Sequence, residues 1–220
     1  MPKSEATPRA YLPAAGHDWL LRFYDPVSRL TGAGALHAAL VAQAALAPGH
    51  AVLDVGAGTG TLAVRIAREH PGVDVTALDP DPKALAIARR KAERAGVAVR
   101  FERGYGDALP FADARFDRVL SSLMFHHLDG ETKRGMLRDV RRVLRPGGGL
   151  HLADFARGHA RPRGFLARLF HHAHALPSSD DATIESLLAE SGFAEIALAG
   201  EHHTLFGRIA RYRAIRPDAA

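Results

Sequence analysis

Residues 121–130 read SSLMFHHLDG and place His126 and His127 side by side between an apolar run and a turn. An imidazole titrates near neutral pH and can take a proton as a general base. Adjacent residues point apart on a helix or a strand, so the two are poorly placed to share a metal ion. Pocket lining or framework is the other reading. His171, His172 and His174 form a second group. On a helix His171 and His174 would share a face, at a spacing that metal sites use. No carboxylate or cysteine stands at a confirming spacing, so a polar cover over a pocket is the reading and no metal site is assigned. His202 and His203 would point to opposite sides of a strand.

The acids and glycines are more specific. VLDVGAGTG (52–60) places Gly56, Gly58 and Gly60 after an apolar run. Glycines there let the backbone approach a ligand closely. Dinucleotide sites use G-x-G-x-x-G and put a pyrophosphate at the helix N-terminus. Here the spacing is G-x-G-x-G, and Asp54 precedes the first glycine by two residues. A carboxylate there repels a pyrophosphate and suits a cationic or hydroxyl-rich ligand. Asp79 ends the next apolar run, where an acid can accept both hydrogens of a ribose diol. Asp107, in GDALPF (106–111), can accept from an exocyclic adenine amine.

These residues need a frame. HDWLLRFYDPVSRL (17–30) reads as a helix broken near Pro26, and ALHAALVAQAAL (35–46) as a second helix stopped by Pro48-Gly49. HAVLDV (50–55), VDVTALD (73–79), VAVRFERG (97–104), RFDRVLSS (115–122) and LHLADF (150–155) read as strands. Helices are expected at 61–70, 81–96 and 131–144, with PGGG (146–149) as a turn. Asp81 caps the second of these, Pro82 suits its first turn and Gly96 ends it; Leu85, Ala88, Ala92 and Ala95 form its buried stripe. Met136, Leu137, Val140 and Leu144 face inward from the third. Residues 162–176 read as a helical cover and 181–192 as a helix. FAEIALAGE (193–201) and the segment from His203 close the chain as a hairpin. Strand and helix alternating in this way predict an α/β fold: a mostly parallel sheet with helices on both faces and an antiparallel last strand.

The 220 residues suit one domain, and 47% hydrophobic with 24% charged is ordinary globular usage. With no cysteine, disulfides, thiolate metal sites and Cys nucleophiles are excluded. The net charge of +5 is carried mostly by scattered arginines, with lysines only at 3, 83, 91 and 133. That reads as a solvated surface, and no nucleic-acid partner is expected. No apolar run approaches a membrane span, and residues 1–16 lack the apolar core of a signal peptide, so the expected location is cytoplasmic.

In combination, DVGAGTG, Asp79, GDALPF, FDRVLSSLMFHHL and RVLRPGG resemble the class I S-adenosylmethionine-dependent methyltransferases of the small-molecule type, over about residues 20–155. The resemblance implies a Rossmann-like seven-stranded sheet and S-adenosylmethionine as cofactor. It implies that Gly56, Ala57, Gly58 and Gly60 pass under the methionine part, and that Asp54 holds that region through water. Asp79 and Pro80 would meet the ribose, and Asp107 and Ala108 the adenine. Ser121 and Leu123 would face the methionine ammonium through their carbonyls.

Transfer from a sulfonium is an in-line displacement that needs no metal. It needs a base only for a protonated hydroxyl or amine, or for an aromatic carbon beside a phenol. His126 and His127 are the catalytic candidates. FYDPVSRLTG (23–32) is similar to the N-terminal helix that covers the acceptor pocket in quinone-biosynthesis C-methyltransferases. Trp19, Tyr24, Phe125 and Phe170, with Phe23 and Phe165, would then line an apolar site. Residues 156–220 depart from the quinone enzymes, which are longer. Where the adenine-N6 and glutamine-N5 enzymes of this fold carry an Asn-Pro-Pro-Tyr type stretch, this chain reads SSLM.

The expected organisation is one domain over 1–220: a helical cover (1–48), a cofactor-binding core (49–155), and a cover segment with the C-terminal hairpin (156–220). The expected enzyme methylates a small, apolar or aromatic acceptor. A quinone-type C-methyltransferase and a non-catalytic, cofactor-binding regulatory protein are the alternatives. A small-molecule substrate is the expected partner, and a homodimer is left open.

Overall fold

The structure is a computed structural model that describes residues 33–156, 182–204 and 207–218. Trp19, Phe23, Tyr24, Phe165, Phe170, His171, His172 and His174, and the helices expected at 17–30 and 162–176, lie outside the described residues.

The apolar runs form the strands. They are β1 (Ala51–Val55), β2 (Asp74–Asp79), β3 (Arg100–Arg103), β4 (Phe116–Ser122), β5 (Leu144–Phe155), β6 (Ala194–Thr204) and β7 (Gly207–Ile215). Their order in the sheet is β3-β2-β1-β4-β5-β7-β6. The first five run parallel. β7 lies between β5 and β6 and is antiparallel to both.

Helices α1 (Ala33–Ala44), α2 (Thr61–Glu69), α3 (Pro82–Ala95), α4 (Gly130–Val143) and α5 (Ile184–Glu190) surround the sheet. Side chains alternate across a strand. Val52 therefore joins Leu36 and Leu40 of α1 and Leu62 and Ile66 of α2 in one core. Leu53 and Val55 join Met136, Leu137, Val140 and Val143 of α4 and Leu187 and Leu188 of α5 in the other. Burial on both faces is what the near-continuous apolar strands require.

Helix α3 forms as its ends dictate. The Asp81 side chain accepts from the Lys83 N–H at 2.8 Å, Pro82 opens the first turn, and Gly96 closes the helix at φ 64°. Ala84, Leu85, Ala88 and Ala92 are buried, while Ala95, expected in that stripe, sits exposed in the last turn. Two other expectations change. β3 spans four residues rather than 97–104. PGGG is not a turn before β5 but part of it: Leu144 pairs with Phe116 and Gly149 with Arg118, so the intervening residues bulge from the ladder. The glycines permit this. Gly147 has φ 70°, and a Cβ on Gly148 would lie 2.7 Å from the Arg145 carbonyl oxygen. Leu144 is buried as expected, but as the first residue of β5.

Candidate active site

From β1 the chain runs outward through β2 to β3, then crosses back to β4 on the other side of β1. The carboxyl ends of β1 and β4 therefore flank a topological switch point, where parallel α/β sheets bind ligands. The glycine loop lies at one lip of this crevice and the histidine pair at the other.

The loop is tied to β2. Gly56 and Ala57 donate their N–H groups to the Leu78 carbonyl at 2.9 and 3.0 Å, and Gly58 donates to Asp79 Oδ2 at 2.8 Å. Gly56, Gly58 and Gly60 have φ of 74°, 53° and 74°, a region costly for other residues. At Gly56 a Cβ would also lie 2.4 Å from Met124 Cγ. The other Asp79 oxygen accepts from the Asp81 N–H at 2.9 Å. Burial pushes the Asp79 carboxyl up; these two amides offset that only in part, and the neighbouring Asp81 charge adds to the rise. Pro80 accepts from Arg103 Nε at 3.2 Å.

Asp54 is 1% exposed, and its Oδ2 has no hydrogen-bond partner. Burial first, and the neighbouring Asp79 second, push its carboxyl up to about 7; the Ala63 N–H offsets this only in part. A buried, under-partnered acid beside a glycine-rich loop fits a cationic ligand. That is the fit a sulfonium and ammonium cofactor needs.

At the other lip, Ser121 donates its hydroxyl to the Val55 carbonyl at 2.9 Å and is fully buried. Leu123 follows with φ 55°, uncommon for a non-glycine residue, while its N–H donates to Ala153 at 2.8 Å. Residues 125–127 then form one 3₁₀ turn. Phe125 does not line a pocket as expected. It is 1% exposed and packs in the α4 and α5 core, with Lys133 Nζ 5.7 Å from its ring centre.

The turn leaves His126 against a carboxylate the sequence reading missed. Asp154, near the end of β5, is 1% exposed. Its Oδ2 accepts from the His126 N–H at 2.9 Å, and its Oδ1 lies 2.7 Å from His126 Nδ1. The Phe155 N–H also donates to Oδ1, at 2.6 Å. Between an ionised carboxylate, which only accepts, and a neutral imidazole, Nδ1 would carry the hydrogen and Nε2 the lone pair. The His126 side chain is 26% exposed, edge-on to Phe155 and 4.0 Å centre to centre from the ring of His127. The signal available in sequence was a lone acid inside LHLADF: a carboxylate in a buried strand needs a partner.

Asp107 and Ala108 sit in a turn closed by Tyr105, with the Asp107 Cβ 3.2 Å from where Gly135 would carry one. The next residues are held by α4. Asp139 accepts from the Leu109 N–H, and Arg142 donates to the carbonyls of Leu109 and Phe111 and to Asp139 and Asp113. Both acids raise the Arg142 pKa. Arg142→Met should therefore cost about 1–3 kcal/mol of stability and weaken cofactor binding, as checked by urea unfolding and calorimetry.

Among the described residues no cluster of His, Asp and Glu could hold a metal ion, and no helix is long and apolar enough to cross a membrane.

A methyltransferase-domain family model matches residues 52–148. A demethylmenaquinone methyltransferase of Deinococcus radiodurans is 33% identical over 202 residues, covering 87% of this chain and 83% of that protein. The O-methyltransferase resE of Aspergillus sclerotiorum is 35% identical over 148 residues, covering 66% of this chain and 55% of that protein's length. A phosphoethanolamine N-methyltransferase of Haemonchus contortus, solved with S-adenosyl-L-methionine, has a TM-score of 0.79 at 16% identity, covering 99% of this chain and 62% of that one. The chain belongs to the class I methyltransferases and is S-adenosylmethionine-dependent.

Proposed function

We propose that this methyltransferase acts on a small apolar or aromatic molecule carrying an ionisable hydroxyl, and that His126 takes the hydroxyl proton. The observation that carries this reading is the buried Asp154 carboxylate on Nδ1 of His126, beside the crevice. The relatives' names support it. One is named for a demethylated menaquinone and another for transfer to oxygen. A reduced quinone and a phenol share an acidic ring hydroxyl.

When bound, S-adenosylmethionine supplies an electrophilic methyl group on a sulfonium with a good leaving group. The chain supplies the rest. Gly58 and Asp79 would hold the ribose side, Asp54 and the Leu123 carbonyl the cationic side, and Asp107 the adenine. Nε2 of His126 accepts the hydroxyl proton as negative charge grows on the acceptor oxygen. Asp154 keeps the ring in that tautomer and stabilises the imidazolium that results. Loss of that proton also activates a ring carbon beside the hydroxyl; after methylation there the ring C–H proton leaves to solvent and the oxygen takes a proton back, so methylation at oxygen or at carbon draws on the same base. His127, Ala57, Gly60, Pro80, Ala108 and Ser121 would serve as walls of the same crevice.

The test supplies methyl-labelled S-adenosylmethionine with a panel of naphthohydroquinones and phenols. Label in a methyl ether or a ring methyl supports the reading and separates oxygen from carbon. Label confined to amines or thiols, or none while the cofactor binds, removes it.

A further inference from the structure

We infer that Lys91, on the far side of the glycine loop from the crevice, is a positioning residue that holds this loop in its cofactor-binding shape. Its Nζ lies 2.7 Å from the Thr61 hydroxyl and 3.1 Å from the Thr59 hydroxyl. The two threonines flank Gly60, at the last turn of the loop and the first residue of α2. Thr59 is 4% exposed. One turn earlier on α3, Ala88 closes on the glycine between them: a Cβ on Gly60 would lie 2.7 Å from the Ala88 Cβ. Residues 88 and 91 share a helix face, so one face of α3 grips residues 59–61 by a methyl group and an ammonium.

The strap reaches further. Gly56, Ala57 and Gly58 are tied to Leu78 and Asp79, and Asp79 is tied to Asp81, the cap of α3. The loop is thus bound at its start to β2 and at its end to α3. Gly56, Gly58 and Gly60 give this segment a backbone with many alternatives. Among the described residues, the end at Thr59 and Thr61 is held by the Lys91 side chain reaching from another helix. Releasing that end lets the loop sample shapes that do not bind, and apparent affinity falls by the fraction lost. The chemistry is untouched once cofactor is bound.

The experiment is calorimetric titration of S-adenosylmethionine into the full chain, with Lys91→Met, the Thr59→Val/Thr61→Val pair, and all three together. Lys91→Met should weaken binding about tenfold. The threonine pair should do the same, and the triple variant should lose no more than either. Lys91→Arg should recover part of the loss. The unfolding midpoint of the cofactor-free Lys91→Met variant should stay close to that of the parent, separating a loop effect from general loss of fold. Three outcomes overturn the inference: unchanged affinity in Lys91→Met, an equal further loss when it is added to the threonine pair, or an affinity loss that only follows a fall in midpoint. The readout is binding, so it needs no acceptor.

Discussion

His126→Ala should lower kcat by about 10²–10⁴-fold, the range for a lost general base, while S-adenosylmethionine binds as before. The residue contacts Asp154, Phe155 and His127, and none of its hydrogen bonds runs to the glycine loop. Asp154→Asn is the sharper variant. Its amide keeps the volume but can turn its NH₂ toward Nδ1 and hold the ring in the wrong tautomer, with hydrogen on Nε2. The expected loss again falls on kcat rather than KM. Asp154→Ala is less informative, because it strips the acceptor from the buried N–H groups of both His126 and Phe155, whereas the Asn oxygen still serves that of His126. His127→Ala should cost much less than His126→Ala. Nitrogen NMR of the labelled histidines reports the tautomer directly. A His126→Ala enzyme within a few-fold of the parent kcat would remove the residue from the chemistry.

Asp54→Asn should stabilise the cofactor-free protein and weaken cofactor binding together. The folded-state carboxyl titrates near 7, against 3.8 for the ordinary group. Between those values the folded chain holds a proton that the unfolded chain has released. This site's contribution to stability is therefore fully present at low pH, declines as pH rises through that window, and is lost above it. At pH 8 the buried ion is a standing cost. Replacing it with a neutral amide should raise unfolding free energy by about 2 kcal/mol at pH 8 and much less at pH 5. The same change removes a buried negative partner for a cationic ligand and should weaken binding by about 2–3 kcal/mol. In the parent, binding should tighten as pH rises through 7, with proton release seen as a buffer-dependent heat in calorimetry. Equal affinity at pH 5.5 and 8 would show that Asp54 does not respond to the ligand's charge.

The sheet was legible in the sequence because its signals are local. Apolar runs bounded by turns gave β1, β2 and β4, and the Asp81, Pro82 and Gly96 punctuation gave α3. Class and cofactor followed from five short motifs in order. What was hidden is long-range. Lys91 and Arg142 stand in charge runs, ARRK and VRRV, that look like solvated helix faces. Nothing local says that one reaches residue 59 and the other residue 109. Asp154 meets His126 across 28 positions of sequence. Phe125 misled because an aromatic beside a candidate base looks like a pocket wall, whereas a 3₁₀ turn drives its ring into the core. PGGG misled because a bulge and a turn use the same residues.

The strand order also divides labour between the two flanks of the crevice. The glycine loop leans on β2 and α3, on one side of β1. The proposed base leans on β4 and β5, on the other. The flanks meet at the β1–β4 ladder, to which the Ser121 hydroxyl adds a bond to the Val55 carbonyl. The half proposed to read the donor and the half proposed to read the acceptor are thus built from different elements, and each can change while that ladder is kept. A lineage can exchange one acceptor for another by rewriting the segments around β4, β5 and the C-terminal strands, while the donor half stays as it is.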